Sequence, residues 1–198
     1  MICFTLSTTE IEGLTRLDPD YYQPHYRNRT SALVRVSSSS LKRECAISMG
    51  PAYSSLSFGS NDGVRIAKIG DVTNRREDEE WDQLTDIEFA RFGMVSLSKD
   101  DILLTMTGDP PDVGKVFMPY TSFSSDRVLA FNQRVARLRS KTANQFYLYA
   151  FLSSERFRLR IEQLALGIRQ RNVSVPDLKS AYVFLPNDRQ DIEPAFPR

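Results

Sequence analysis

Bond chemistry in this 198-residue chain would have to start from carboxylates, because other reactive side chains are sparse. Asp100 and Asp101 precede the apolar run Ile102-Leu103-Leu104, and Lys115 follows a short way on. A metal-dependent nuclease needs a set of that kind, with carboxylate oxygens converging on Mg²⁺ and a lysine close by. The Glu and Lys that such a site places close together on one strand are missing, so these carboxylates read as solvated turn residues. His25, the one histidine, follows Pro24 in a polar stretch and reads as structural. Cys3 and Cys45 are too few for a disulfide framework or a structural zinc site, which makes a reducing cytoplasm the expected compartment and leaves no metal to expect. No Gly-x-Ser-x-Gly nucleophile motif occurs.

A second carboxylate motif is Asp109-Pro110-Pro111-Asp112. It looks like the Asp-Pro-Pro-Tyr motif of adenine methyltransferases, where the ring in fourth place stacks on a flipped base. Asp112 cannot stack. Phe58-Gly59-Ser60-Asn61-Asp62-Gly63 is the nearest thing to a glycine-rich cofactor loop, and its glycine spacing is wrong for one. The Asp-Pro-Pro-Asp run therefore reads as a turn. No cofactor and no catalytic activity are expected of this chain alone.

The elements that must position any site come from a chain of 41% hydrophobic and 26% charged residues, which excludes a disordered or collagen-like protein. No apolar run approaches the roughly 18–20 residues that cross a membrane, and Met1–Ser7 lacks a basic leader. No membrane is therefore expected among its partners. The net charge of +1 conceals a split: residues 62–112 hold 6 Lys/Arg against 13 Asp/Glu, and residues 113–180 hold 12 against 4. One surface able to meet a polyanion follows, and the Phe, Tyr, Gln and Asn in the basic part suit nucleic acid better than lipid.

Along the chain, a strand is predicted at Ile2–Leu6 and an amphipathic helix at Tyr21–Val36, ended by a flexible Ser37–Ser40 connection. Val64–Ile69 alternates as a half-buried strand, and Glu77–Glu80 reads as a solvated loop. Thr85-Asp86-Ile87-Glu88 has capping-box spacing, and Gly93 can close the short helix behind it. Strands follow at Met94–Leu97, Ile102–Met106, Val116–Met118 and Gln133–Leu138. The longest helix is predicted at Gln145–Leu166, with Tyr147, Phe151, Phe157, Ile161 and Leu164 as its buried stripe and Arg156, Arg158 and Arg160 outside it. A last strand, Ala181–Leu185, precedes Pro186. The fold expected is α/β: a twisted mixed sheet of many short strands, one long C-terminal helix and short flanking helices. Residues 1–36 lead into the main domain at 37–186, and 187–198 form a tail.

Three blocks occur in a telling order: Asp101–Gly108 followed by Gly114-Lys115-Val116; Phe131–Arg139; and Phe146–Tyr149 through Leu152-Ser153-Ser154 to Gly167–Ser174, closing at Phe184-Leu185-Pro186. With Arg16–Pro24 near the start, this pattern resembles the target-recognition domain of specificity (S) subunits in type I restriction-modification systems, over residues 16–186. The similar domain of type IIG restriction-modification proteins shares much of it. The chain departs from the pattern at Asp100-Asp101, where Gly-Asp is usual, and in the longer Asp109–Val113 loop. A full S subunit has two such domains, each followed by a long spacer helix. Only twelve residues follow Pro186, with Pro194 and Pro197 among them, so a half-subunit without a spacer, monomeric on its own, is expected.

The resemblance implies sequence-specific binding of double-stranded DNA, with catalysis left to a separate methyltransferase (M) subunit and restriction (R) subunit. Arg169, Gln170, Arg171 and Asn172 put four base-edge or phosphate-binding side chains in one loop after Gly167. Thr105, Thr107 and Lys115 flank a second loop suited to phosphate oxygens. Tyr53 and Ser54, behind Gly50-Pro51, and Arg75 complete the candidate contacts. Two rival readings remain: a small S-adenosylmethionine-dependent methyltransferase or nuclease using Asp109 or Asp101, and a protein-interaction module such as a DNA mimic. The basic segment speaks against a mimic.

Overall fold

The computed structural model of the protein describes residues 21, 23, 26, 38–59, 63–93, 95–119, 128–141, 144–167 and 170–184. The predicted Ile2–Leu6 strand, most of the Tyr21–Val36 helix, His25, Met94, Arg169 and the tail lie outside these residues.

The centre is an antiparallel sheet in the order β2 (Cys45–Met49), β9 (Val135–Ser140), β5 (Ile102–Thr105) and β7 (Val116–Phe117). Alternation along β5 explains its complete burial: Ile102 and Leu104 enter one apolar cluster, and Leu103 enters another on the opposite face. The first cluster lies under three helices, α4 (Gln145–Leu152), α5 (Glu155–Leu164) and α6 (Val175–Ser180), which contribute Leu148, Leu152, Phe157, Ile161, Leu164 and Leu178. The second lies against a mixed three-stranded sheet, in which β3 (Val64–Ala67) pairs antiparallel with β4 (Asp82–Leu84) and parallel with β8 (Leu129–Phe131). Helix α2 (Ile69–Asn74) follows β3, and Val72 from it joins the second cluster. The far face of the mixed sheet carries a third cluster, with Ile66, Leu84 and Ala130 beneath Tyr53 and Phe89 of α3 (Asp86–Arg91). Two small sheets complete the set: β1 (Ser38–Ser40) with β11 (Tyr182–Phe184), and β6 (Thr107–Gly108) with β10 (Arg171–Asn172). The fold is mixed α/β, with four short sheets among the described residues in place of one many-stranded sheet.

The structure also corrects four local expectations. The long helix is two: Ser153 N–H closes α4 on Tyr149 O at 2.9 Å, and Ser154 Oγ caps α5 by accepting from Phe157 N–H at 3.3 Å. The break resets the helical phase, so Leu148 and Leu152 are buried while Tyr147 and Phe151 are only partly so. The serine run is a strand, because Ser38–Ser40 pair with residues more than 140 positions away, a partner no local propensity reveals. Residues 95–97 are irregular, held by Leu97 N–H on Leu129 O at 2.8 Å without entering a ladder. The acidic run is not wholly solvated: Asp78 is 1% exposed and accepts from Arg65 Nη1 at 3.0 Å.

Cys45 opens β2 against the short helix α1 (Leu41–Glu44) and is 2% exposed. Burial, with the Glu44 carboxylate beside it, pushes its thiol up to about 12 from 9.0. The unfolded thiol ionises first, so the stability this group contributes is intact below pH 9 and is lost as pH rises toward 12, at roughly 1.4 kcal/mol per pH unit. Cys45→Ala is therefore expected to lose about 2 kcal/mol less than the parent between pH 8 and pH 10.5, read by urea denaturation. Equal alkaline losses would place the thiol in water.

Candidate nucleic-acid interface

Two of the sequence-predicted loops meet. Strand β5 delivers the chain to a tight turn in which Asp112 and Val113 N–H donate to Asp109 O at 2.8 and 3.1 Å. Thr105 Oγ1 donates to Asp112 O at 2.5 Å, and Gly114 N–H returns to Thr105 O at 2.9 Å. Gly114 has φ +79°, and a Cβ there would sit 2.7 Å from Ile161 Cγ2, so the turn is pressed onto α5. Asp-Pro-Pro-Asp is thus a turn, as its residue types predict, and Asp112 pairs with Lys115 Nζ at 2.8 Å. Thr105, at 0% exposed, shapes the turn and has no surface with which to touch a ligand.

The second loop crosses the first as β10 on β6, with Arg171 opposite Gly108 and Asn172 opposite Thr107. Thr107 Oγ1 and Asn172 Oδ1 lie 2.5 Å apart, and Val173 N–H donates to Met106 O at 2.9 Å. Leu166 and Asn172 exchange both backbone hydrogen bonds, at 2.9 and 2.8 Å. Gln170, two residues before Asn172, is exposed. Arg171, expected to reach out with Gln170, instead folds back: Nη1 donates to Glu162 O at 3.1 Å and to Tyr26 Oη at 3.4 Å. Strand alternation is the reason, since neighbours in β10 project to opposite faces and Asn172 takes the outer one.

Tyr53 and Ser54 sit apart from this pair of loops, on the third cluster. Tyr53 is 8% exposed and meets Phe92 edge-on at 5.3 Å. Burial, then the Glu88 charge, raises its phenol. Ser54 Oγ caps a one-turn helix at Ser55–Ser57, and Ser54 N–H donates to Glu88 Oε1 at 3.0 Å. That bond takes the carboxylate a closed capping box at Thr85 would have used; Thr85 Oγ1 still accepts from Glu88 N–H at 3.4 Å. Both residues are occupied in holding the fold.

Arg75 caps α2 in the left-handed region at φ 52°, is exposed, and joins Lys115 on the wall of a cleft of about 290 Å³. Arg158 of α5 is the third cation there, with Thr73 and Ser153 beside it. In the sequence Arg158 lies outside the buried stripe of the predicted long helix, where a phosphate contact and a solvated surface charge are both open. Thr73 carries no signal in the sequence and Ser153 only its place in the Leu152-Ser153-Ser154 block, because their position in the cleft depends on where α2 and the α4–α5 break come together.

The carboxylates proposed for catalysis are otherwise engaged or isolated. Asp101 is 0% exposed, accepts from Arg139 Nε and Nη2 along one guanidinium edge, and accepts from Ser98 N–H at 2.7 Å. Asp109 is exposed, and no group of three or more His, Cys, Asp or Glu residues is arranged to hold a metal ion among the described residues. No helix among them is long and apolar enough to cross a membrane.

This arrangement of short sheets, turn and crossing loop matches solved structures. The chain shares the fold of type I S subunits. The S subunit from M. genitalium aligns with a TM-score of 0.50 and 16% identity, over 74% of this chain and 33% of that one. The HsdS subunit from Thermoanaerobacter tengcongensis aligns with a TM-score of 0.51 and 13% identity, over 80% and 39%. A chain from a structure describing complex assembly and conformational transition of the type I restriction-modification system aligns at 0.50 and 14%, over 79% and 38%. This chain thus spans between a third and two fifths of those proteins, as one target-recognition domain would. No protein-family model matches the sequence, and no curated protein matches it.

Proposed function

We propose that the chain is a sequence-specific duplex-DNA-binding module of type I restriction-modification character. It lends specificity to a separate methyltransferase subunit and restriction subunit, and those partners carry the catalysis. The observation that supports this reading best is the crossing of β10 on β6, which joins the two loops richest in base-edge and phosphate donors in a fold shared with S subunits. Gln170 and Asn172, exposed on that crossing, and Arg169 are the proposed base readers. Lys115 and Arg75 are proposed phosphate contacts; Thr105, Thr107, Arg171, Tyr53 and Ser54 act through the shape of the surface.

Selection from a random duplex library, followed by binding at graded salt, tests this. A preferred site is expected, with a log–log slope of affinity against salt of about −4 to −7, for roughly five to eight phosphates neutralised. Binding that ignores salt, or that prefers no sequence, overturns the reading. Gln170→Ala is expected to relax preference at one base position, worth about 1–3 kcal/mol of discrimination, with the fold intact. Saturable binding of S-adenosylmethionine by the chain alone would favour the methyltransferase rival.

A further inference from the structure

The cleft between α2, the Gly114 turn and the α4–α5 break collects three cations from segments far apart in sequence: Arg75, Lys115 and Arg158. No Asp or Glu lines it, although the chain carries 25 acidic residues. Lys115 and Arg158 are each balanced by a carboxylate outside the cleft, Asp112 at 2.8 Å and Glu162 at 3.0 Å. Arg75 has no ion-pair partner among the described residues. It is also the one non-glycine residue among them with positive φ. Glycine or asparagine would hold that cap at lower cost, and a side chain kept in such a conformation marks a position where its chemistry is needed. Val72, Val116 and Leu152 form apolar wall around the charges, which strengthens their pull on an anion. Ser153 supplies a hydroxyl, and Thr73 Oγ1 is buried without a hydrogen-bond partner. Tetrahedral oxyanions suit a cleft walled by three cationic residues and a hydroxyl donor; a planar base edge does not.

We propose that this cleft is a phosphate seat that takes a backbone phosphodiester of the bound duplex and so fixes the register of the reading loops. The Gly114 turn links the two directly, since it leads from Thr107, which holds Asn172, to Lys115 in the seat. The inference rests on the DNA reading above, and its test separates the two.

Duplex binding is measured at graded salt for the parent, for Arg75→Ala, Lys115→Ala and Arg158→Ala, and for Arg91→Ala, an exposed cation on α3 away from the cleft. Each cleft variant is expected to lower the salt slope by about 1 and to weaken all sequences alike, by about 3- to 10-fold, while Arg91→Ala changes neither. Arg75→Gly guards against misfolding: it relieves the left-handed strain, so its melting temperature should hold or rise while its DNA affinity falls. In a second arm, NMR follows inorganic phosphate titrated into the parent, with shifts expected at Arg75, Lys115 and Ser153. A parent that binds DNA with a steep slope, beside cleft variants that match Arg91→Ala, overturns the seat and leaves the DNA reading standing. Phosphate shifts in the cleft without duplex binding overturn both the DNA reading and the assignment to a backbone phosphodiester.

Discussion

Gly50→Ala is expected to destabilise the protein by about 4 kcal/mol, among the largest losses a single methyl can cause. A Cβ at Gly50 would lie 2.1 Å from Phe131 O and 2.5 Å from both C and O of Asn132. All three atoms are backbone, so no rotamer change relieves the clash. The peptide that must yield is itself pinned, because Asn132 N–H donates to Ala67 O at 3.0 Å and the Phe131 side chain is 0% exposed. Retreat would pull β8 from β3 and open the second apolar cluster. Urea denaturation of the variant reads the loss directly, and a change below about 1 kcal/mol would mean that the two segments can part freely. Tyr53 and Ser54, behind Gly50-Pro51, were candidate DNA contacts, whereas the close approach gives Gly50 a packing reason of its own.

Asp101→Ala is expected to cost about 3 kcal/mol. The carboxylate is fully buried, with Arg139 Nη2 at 2.9 Å and Ser98 N–H at 2.7 Å, and its removal orphans the amide that closes the turn before β5. Arg139 is 45% exposed and can turn to water, which holds the loss toward the lower end of the range for broken buried pairs. Asp101→Asn keeps an acceptor for Ser98 N–H and one guanidinium contact, and should retain about half the difference. Arg91, 70% exposed and 3.5 Å from the buried Glu88 carboxylate, is the contrast: Ser54 N–H still donates to Glu88, so Arg91→Ala should cost under about 1 kcal/mol. Thermal melts with and without Mg²⁺ separate a structural aspartate from a nuclease ligand. A melting temperature of the parent that rises with Mg²⁺, and fails to rise in Asp101→Asn, would restore the metal reading.

Much of this protein was legible in its sequence. Alternating apolar residues placed β3 and β9, and short continuous apolar runs placed β5 and β11, because a strand buried on one face needs the first pattern and one buried on both needs the second. Thr85 and Gly93 bounded α3, since capping is a local contest for the last free N–H and C=O groups. The order of the blocks from Asp101 to Phe184 pointed to the fold shared with S subunits.

Tertiary structure decided the rest. Serines at 38–40 became a strand because β11 was there to pair with, and Ser153-Ser154 divided a helix whose apolar spacing runs on through the break. Arg171 looked like its neighbours in a polar loop, yet one step of strand alternation turned it toward Glu162 O and away from Asn172. Arg75, Lys115 and Arg158 share no sequence pattern; the packing of α2, the Gly114 turn and α5 makes them a cluster. Periodicity and caps are settled by contacts within a few residues of each other. Which charges face one cleft depends on packing between segments 40 to 83 residues apart, and that is determined only when the core closes.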